Sequence, residues 1–274
     1  MVVEGPAHRY EVGDQVADAG KYRLYLCQQT GTGRRCLLQI PTEAAHNGAM
    51  DRAAYVLDEL KREADRLEAE YELVRTDPKM VLNYDLGFPE LVDSFVVEKQ
   101  GGRRVNILAF RNVEDVRRMV PIGNITARDR LRVDLRTSGW VMGKALKLLV
   151  LAHSLGFAIK RTDAANILIE QKDHYVVFFD WSEAEIHSGL IPAATRRREI
   201  GQVARAVTVL LGGDLSTGVI PDDGDASHAP YVEHLFRLAR GSESNAQHAH
   251  ASFYKLIDGL WEHGYHPFTT YQLT

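Results

Sequence analysis

The stretch His153–Ser182, HSLGFAIKRTDAANILIEQKDHYVVFFDWS, decides the fold of this chain. Two apolar runs, 167–169 and 175–179, flank a short polar turn, which is the pattern of a β-hairpin. Antiparallel pairing of the runs places Asn166, before the first, and Asp180, after the second, at one end of the hairpin. An amide oxygen and a carboxylate there suit a hard cation such as Mg²⁺. The alternative, favoured for the pair taken alone, is that both are polar residues that end strands.

The same segment resembles the catalytic loop and metal-binding motif of the protein-kinase superfamily. The family pattern runs H-x-x-G, two apolar residues, H-R-D-x-K-x-x-N, an apolar triplet, a hairpin and D-F-G. The sequence from His153 to Ser182 follows this register without a gap. Asn166 and Asp180 fall on the two metal-binding positions. The resemblance therefore implies a fold that binds ATP and Mg²⁺.

Two departures from the family lie in the catalytic loop. The kinase Asp that accepts the substrate's proton is replaced by Arg161, a cation that cannot act as a base at neutral pH. Asp163, two residues later, takes the position of the family Lys. The hypothesis that Asp163 partly stands in as the catalytic base is the less favoured one, because its side chain should leave the loop at a different angle.

The resemblance covers about residues 10–265 and implies an α+β, bilobal protein-kinase-like fold. The amino-terminal lobe, 1–110, is expected to hold an antiparallel five-stranded sheet and one helix, and the carboxy-terminal lobe, 111–274, to be mainly helical and to contain the hairpin 166–180. Apolar periodicity predicts the helices, and alternating or apolar runs between turns predict the strands. The predicted segments are strands at 21–27, 35–40, 90–97 and 104–110 and helices at 51–73, 139–155, 199–211 and 253–261.

The nucleotide-binding positions implied by the family are altered in this chain. Of the phosphate-covering loop only Gly20 is a glycine, and it is out of register. Gln39 replaces the Lys that holds the α- and β-phosphates, and Glu63 matches the helix Glu that pairs with that Lys. Lys21, or Arg23 beside it, can reach the same space, or both are solvent-facing charges. The backbone around Phe110 and Asn112 takes the place of the adenine-binding hinge.

The segment between Asp180 and Glu199 is short. Protein kinases place a longer activation segment there, with A-P-E near its end, and no A-P-E is present. The run Asp180–Ala184 and the short segment are similar to those of aminoglycoside and choline phosphotransferases. A peptide-docking platform is therefore not expected.

Composition limits the remaining possibilities. The chain has 274 residues and a formal net charge of −4, which argues against a nucleic-acid binder. No targeting or membrane segment is recognisable, so a cytoplasmic location is expected. Cys27 is predicted to lie directly across from Cys36, as two reduced thiols.

Two functions remain open. The altered base, phosphate Lys and glycine loop favour a pseudokinase, a regulatory or scaffolding protein that binds a protein partner, with weak or no phosphoryl transfer. Retention of Asn166 and Asp180 favours a divergent Mg²⁺-dependent ATP phosphotransferase with Asp163 as the base.

Overall fold

The structure, a computed structural model, divides into two compact units. Unit 1 is Met1–Arg118 with Asp180–Ala184, and unit 2 is Met119–Phe179 with Glu185–Thr274. The division follows Arg118, later than the boundary expected at 110, and the ion pair between Arg35 and Asp115 holds this later segment to the sheet of unit 1. The residues that the structure describes are 1–77, 82–222, 224–262 and 264–273.

Unit 1 contains an antiparallel sheet in the order β1-β2-β3-β4-β6-β5. The sheet contains the five expected strands and one more, the short β1, which pairs with β2 at the edge of the sheet. The strands are β1 Val2–Glu4, β2 Arg9–Asp18, β3 Tyr22–Gln29, β4 Arg35–Pro41, β5 Glu90–Val97 and β6 Arg103–Ala109.

One long helix, α1 (Asn47–Val74), packs on this sheet through an apolar stripe.

The two cysteines of the chain lie on neighbouring strands of this sheet. Cys27 in β3 lies opposite Cys36 in β4, as predicted. Both thiols are free and buried in the core of the sheet, with 5% and 0% of their surface exposed.

Unit 2 is mainly helical, and its central helix, α3 (Leu135–Ser154), buries most of its residues. Asp134 caps α3 by accepting a hydrogen bond from the Thr137 amide at 2.7 Å. Helix α4 ends before Gly212, whose φ of 74° requires the left-handed conformation that glycine favours. The helices are α2 Ile122–Ala127, α3 Leu135–Ser154, α4 Ala193–Leu210, α5 His228–Ala239 and α6 Ala246–Leu260.

Short strands complete unit 2. They are β7 Val120–Pro121, β8 Leu131–Val133, β9 Phe157–Ala158, β10 Ile167–Glu170, β11 Tyr175–Phe178, β12 Glu185–Ile186 and β13 Thr270–Gln272. Among the described residues, no helix combines the length and the apolar character needed to cross a bilayer.

Helix α5 was not predicted, and it contains a titratable group that makes stability depend on pH. His234 is 8% exposed and its Nδ1 lies 3.0 Å from an Arg237 Nη atom. Burial, with a contribution from the Arg237 charge, lowers the pKa of His234 to about 4. The folded state therefore favours neutral His234, and this stabilisation is complete above the unfolded-state pKa of about 6.5.

We expect the free energy of unfolding to fall by about 2 kcal/mol through this group as the pH drops from about 7 to about 4.5. Urea unfolding of the wild type and of His234→Gln at both pH values measures it, and the variant should lose less stability on acidification. His8→Gln, which changes an exposed histidine, is the control. An acid loss in His234→Gln equal to that of the wild type would contradict the prediction.

Candidate nucleotide and metal site

The hairpin that carries the metal-binding positions forms as predicted, with its two apolar runs paired antiparallel. Ile167 in β10 pairs with Phe178 in β11. One residue further out, the Phe179 amide donates to the Asn166 carbonyl at 3.1 Å. The first apolar run therefore begins beside the end of the second, as the sequence predicted.

Asn166 is part of the catalytic-type loop of unit 2. It is 2% exposed, and its amide nitrogen donates to the Arg161 carbonyl at 2.7 Å. The Asn166 backbone amide donates to the Asp163 carbonyl at 3.1 Å, which closes the loop into a tight turn. Because the side-chain nitrogen is used within the loop, a metal would be bound through the amide oxygen.

The candidate base, Asp163, is engaged inside the same loop. One carboxylate oxygen accepts a hydrogen bond from the Ala165 amide at 2.9 Å, and the other lies 3.8 Å from Nε of Arg161. The residue at the base position of the family is thus a cation that pairs with the carboxylate proposed to replace it.

A buried carboxylate, Glu199 of α4, anchors this loop. It is fully buried, and it accepts hydrogen bonds from the Lys160 amide at 2.5 Å and from Nε2 of His153 at 2.7 Å. Lys160 has a φ of 70°, which is strained for a side-chain-bearing residue. Thr162 adds a hydrogen bond from its hydroxyl to the Glu199 carbonyl at 3.1 Å.

Sequence reasoning placed Glu199 at the start of a helix and assigned it no role. Its position beside the apolar stripe of α4 could have indicated a buried carboxylate. Such a carboxylate requires hydrogen-bond donors from other parts of the fold. The donors lie 39 and 46 residues away in sequence.

The segment after the hairpin, Asp180–Ala184, clusters with unit 1. Asp180 is 3% exposed and accepts a hydrogen bond from the Ser182 amide at 2.9 Å. The Ser182 carbonyl accepts from Arg52 of α1 at 2.8 Å, and Glu183 pairs with Lys21 at 2.9 Å. These contacts hold the segment that carries the second metal-binding candidate.

The turn between β2 and β3 contains Gly20, whose φ is 77°. Its amide donates to a carboxylate oxygen of Asp18 at 2.9 Å, and Arg23 donates to the other at 3.2 Å. The Gly20 amide, followed by the Arg23 guanidinium, lowers the pKa of Asp18. Lys21 and Arg23 thus have carboxylate partners, Glu183 and Asp18, at the surface.

Gln39, at the position of the phosphate-binding Lys, belongs to a buried amide cluster. It is 1% exposed and accepts from the side-chain nitrogen of Asn106, which lies opposite it in β6, at 3.4 Å. The same nitrogen donates to the Met50 carbonyl of α1 at 3.0 Å, and Ser94 donates to the other side of the Asn106 amide at 2.7 Å.

From the sequence, Glu63 either faces Gln39 and forms a hydrogen bond with it or lies in water at the edge of the apolar stripe, and the structure has the second arrangement. Glu63 pairs with Arg66, one helical turn away, at 2.6 Å, and this hydrogen bond lowers the pKa of Glu63. Its side chain is 21% exposed. A partner within the same helix satisfies the carboxylate locally, so Glu63 needs no donor from the sheet.

The hinge positions have the backbone expected of a chain leaving a strand. Phe110 is 4% exposed and its carbonyl accepts from the Val113 amide at 3.4 Å. Asn112 has a φ of 60°, a left-handed conformation that asparagine tolerates better than most residues.

The candidate residues differ in how well their chemistry suits a metal or a phosphate. The side chains of Asn166, in unit 2, and Asp180, in unit 1, each carry an oxygen of the kind that Mg²⁺ takes as a ligand. The phosphate positions differ, since Gln39 is neutral and buried in an amide cluster, and Lys21 is paired with Glu183. Phosphate would have to compete with that carboxylate.

Comparison with solved structures assigns the fold. The chain is similar to vaccinia-related kinase 3, with a TM-score of 0.60 and 12% identity over 95% of this chain and 90% of that chain. It is similar to the BubR1 kinase domain, with a TM-score of 0.56 and 11% identity over 94% and 83% of the two chains. For the PknI kinase domain of Mycobacterium tuberculosis, a double mutant, the values are 0.52, 14%, 92% and 94%. The chain therefore has a protein-kinase-like fold, as the motif from His153 predicted.

The same comparisons extend no further than the fold. Neither a scan of protein-family models nor a search of curated proteins found a match.

Proposed function

We propose that this chain is a pseudokinase-like regulatory or scaffolding protein that binds a protein partner and transfers phosphate weakly or not at all. The observation that carries the proposal is the burial of Gln39 in an amide cluster with Asn106, at the position where a kinase has its phosphate-binding Lys. A neutral amide cannot neutralise phosphate charge, and kinase catalysis depends on that neutralisation.

The catalytic-type loop supports the same proposal. Arg161 carries a permanent positive charge at the family's base position, and Asp163 lies 3.8 Å from it. Loss of both the base and the phosphate Lys should lower the rate by several orders of magnitude.

A second function, Mg²⁺-dependent ATP phosphotransfer, is favoured by one feature. Asn166 and Asp180 retain the oxygen donors of the family's metal-binding positions. In this alternative they would hold Mg²⁺, Lys21, Arg23 or Lys160 would neutralise phosphate, and Asp163 would accept the proton from the substrate hydroxyl.

Thermal melting with ATP, with Mg²⁺ and with both separates nucleotide binding from a pure scaffold. A ligand at a hundredfold excess over its Kd stabilises the folded state by about 2.7 kcal/mol, which raises Tm by several degrees. If nucleotide is bound through the metal pair, only the combination should give the full shift, and Asp180→Asn should abolish it. Asp180→Asn keeps an acceptor for the Ser182 amide, and Asp129→Asn, at an exposed position whose carboxylate pairs with Arg128, is the matched control.

Turnover separates the two functions. We expect hydrolysis and transfer of labelled ATP to stay at the background rate. A rate well above background that falls in Asp163→Asn and in Asp180→Asn would reject the pseudokinase proposal in favour of phosphotransfer. Absence of any Tm shift would support a scaffold that does not bind nucleotide.

A further inference from the structure

We propose that the surface where α4 meets the carboxy-terminal end of α5 binds an acidic protein segment. The arginine surface, as we call it, consists of Arg197 and Arg205 on α4, Arg237 on α5 and Arg240 just after it. All but the half-buried Arg205 are exposed. It lies entirely within unit 2.

Two glycines bring these arginines together. A Cβ at Gly201 of α4 would lie 3.4 Å from the carbonyl oxygens of Leu238 and Ala239 and 3.3 Å from an Nη atom of Arg205. Gly241, which ends α5 with a φ of 78°, lies against the aliphatic part of Arg197, because a Cβ there would be 3.0 Å from its Cγ and Cδ. The junction between the helices therefore places Arg205 and Arg197 beside the last turn of α5.

The charges of the arginine surface are not neutralised by the chain itself. Over 1–77, 82–222, 224–262 and 264–273, none of the four guanidinium groups forms an ion pair with a carboxylate. Arg237 instead contacts Nδ1 of His234, and Arg240 lies 5.9 Å from the centre of the Phe236 ring. Arginines of unit 1 differ, as in the two-pronged pair of Arg34 with Glu90.

The nearest carboxylates in sequence are engaged elsewhere or remain apart. Glu199, beside Arg198 on α4, is fully buried and bonded to His153 and Lys160. Glu243 accepts hydrogen bonds from the Ser244 and Asn245 amides. Glu233 lies one helical turn before Arg237 without forming an ion pair. The surface thus concentrates positive charge in a chain whose formal net charge is −4.

The chemistry of the surface favours carboxylates of a protein over a nucleic acid. The planar guanidinium fork matches a carboxylate and holds it with two hydrogen bonds. Binding of single-stranded nucleic acid also uses exposed aromatic rings on which bases stack. The aromatic side chain in contact with the surface, Phe236, is 8% exposed, so it offers little ring face on which a base could stack.

This inference does not depend on whether the chain binds nucleotide, because it involves no residue of the candidate nucleotide and metal site. It adds to the proposed function the class of partner that the surface would recognise. If the chain does not bind an acidic peptide, the pseudokinase proposal is unaffected. If the chain turns over ATP, the proposal for the arginine surface is unaffected.

The test is fluorescence anisotropy with a labelled deca-glutamate peptide and the full chain at low ionic strength. We expect the double variant Arg197→Gln with Arg240→Gln to weaken binding about tenfold. The matched control is Arg9→Gln with Arg62→Gln, which makes the same change in net charge at exposed positions of unit 1. It should change the affinity less than about twofold, because neither residue belongs to the arginine surface and each already pairs with a carboxylate, Glu4 or Glu59.

Two further measurements decide the outcome. Arg197→Lys with Arg240→Lys keeps the charge and the fold, so it should bind with an affinity between those of the wild type and the glutamine variant. A labelled oligothymidine of the same length should bind more weakly than the peptide. Equal losses in the glutamine and control variants, tighter binding of the oligonucleotide, or no binding of the peptide by the wild type would each overturn the proposal.

Discussion

Replacement of Glu199 by alanine should lower the free energy of unfolding by about 3 to 5 kcal/mol, measured by urea denaturation. The carboxylate is fully buried and accepts from the Lys160 amide and from His153. Its removal leaves buried donors without acceptors and a cavity in their place. It also releases the strained backbone of Lys160, so the catalytic-type loop should lose order.

The control for this prediction is Glu185→Ala. Glu185 also pairs with Lys160, through the side-chain Nζ at 2.5 Å, but its side chain is 46% exposed. A solvent-screened pair of this kind contributes at most about 1 kcal/mol. Similar losses in the two variants would show that Glu199 is no more important to the fold than a surface carboxylate.

Introduction of the family lysine, as Gln39→Lys, should destabilise unit 1 by about 3 kcal/mol at neutral pH and should not restore nucleotide binding. Position 39 is 1% exposed and faces the amide of Asn106. The family's partner acid is unavailable, because Glu63 is paired with Arg66 at the surface of α1. An ammonium group would therefore be buried without a carboxylate.

Gln39→Met separates the effect of charge from the effect of the lost hydrogen bond. Methionine has a similar volume and loses only the bond from Asn106, so we expect a loss of about 1 kcal/mol. Burial lowers the pKa of a lysine, so the difference between the two variants should shrink as the pH rises from about 7 to about 10. A lysine variant as stable as the wild type would instead indicate an acid within reach of position 39, which favours the phosphotransferase.

The hairpin could be predicted from the sequence because its determinants are local. The polar turn and the two apolar runs fix the register, so the pairing of Ile167 with Phe178 follows from counting. The family resemblance extended that local pattern to the whole fold. The added strand β1 was not predicted because it has only three residues. Helix α5 was also missed, although its twelve residues bury Tyr231, Leu235 and Leu238 at helical spacing.

The contacts that hold the candidate site could not be predicted in the same way. Glu63 and Glu199 both lie beside apolar stripes of helices, and the sequence does not distinguish them. The structure does, since Glu63 finds Arg66 three residues away, whereas Glu199 finds His153 and the Lys160 backbone across the fold. Whether a helical acid is exposed or buried depends on donors that come from other elements.

The facing thiols of Cys27 and Cys36 allow local unfolding of unit 1 to be measured by chemical labelling. A water-soluble thiol reagent cannot reach side chains that are 5% and 0% exposed while β3 and β4 stay paired. Modification therefore proceeds at the frequency with which these central strands separate, in the manner of amide hydrogen exchange. Because both cysteines of the chain lie in this sheet, the labelling rate follows the local unfolding of one unit and is silent on the other.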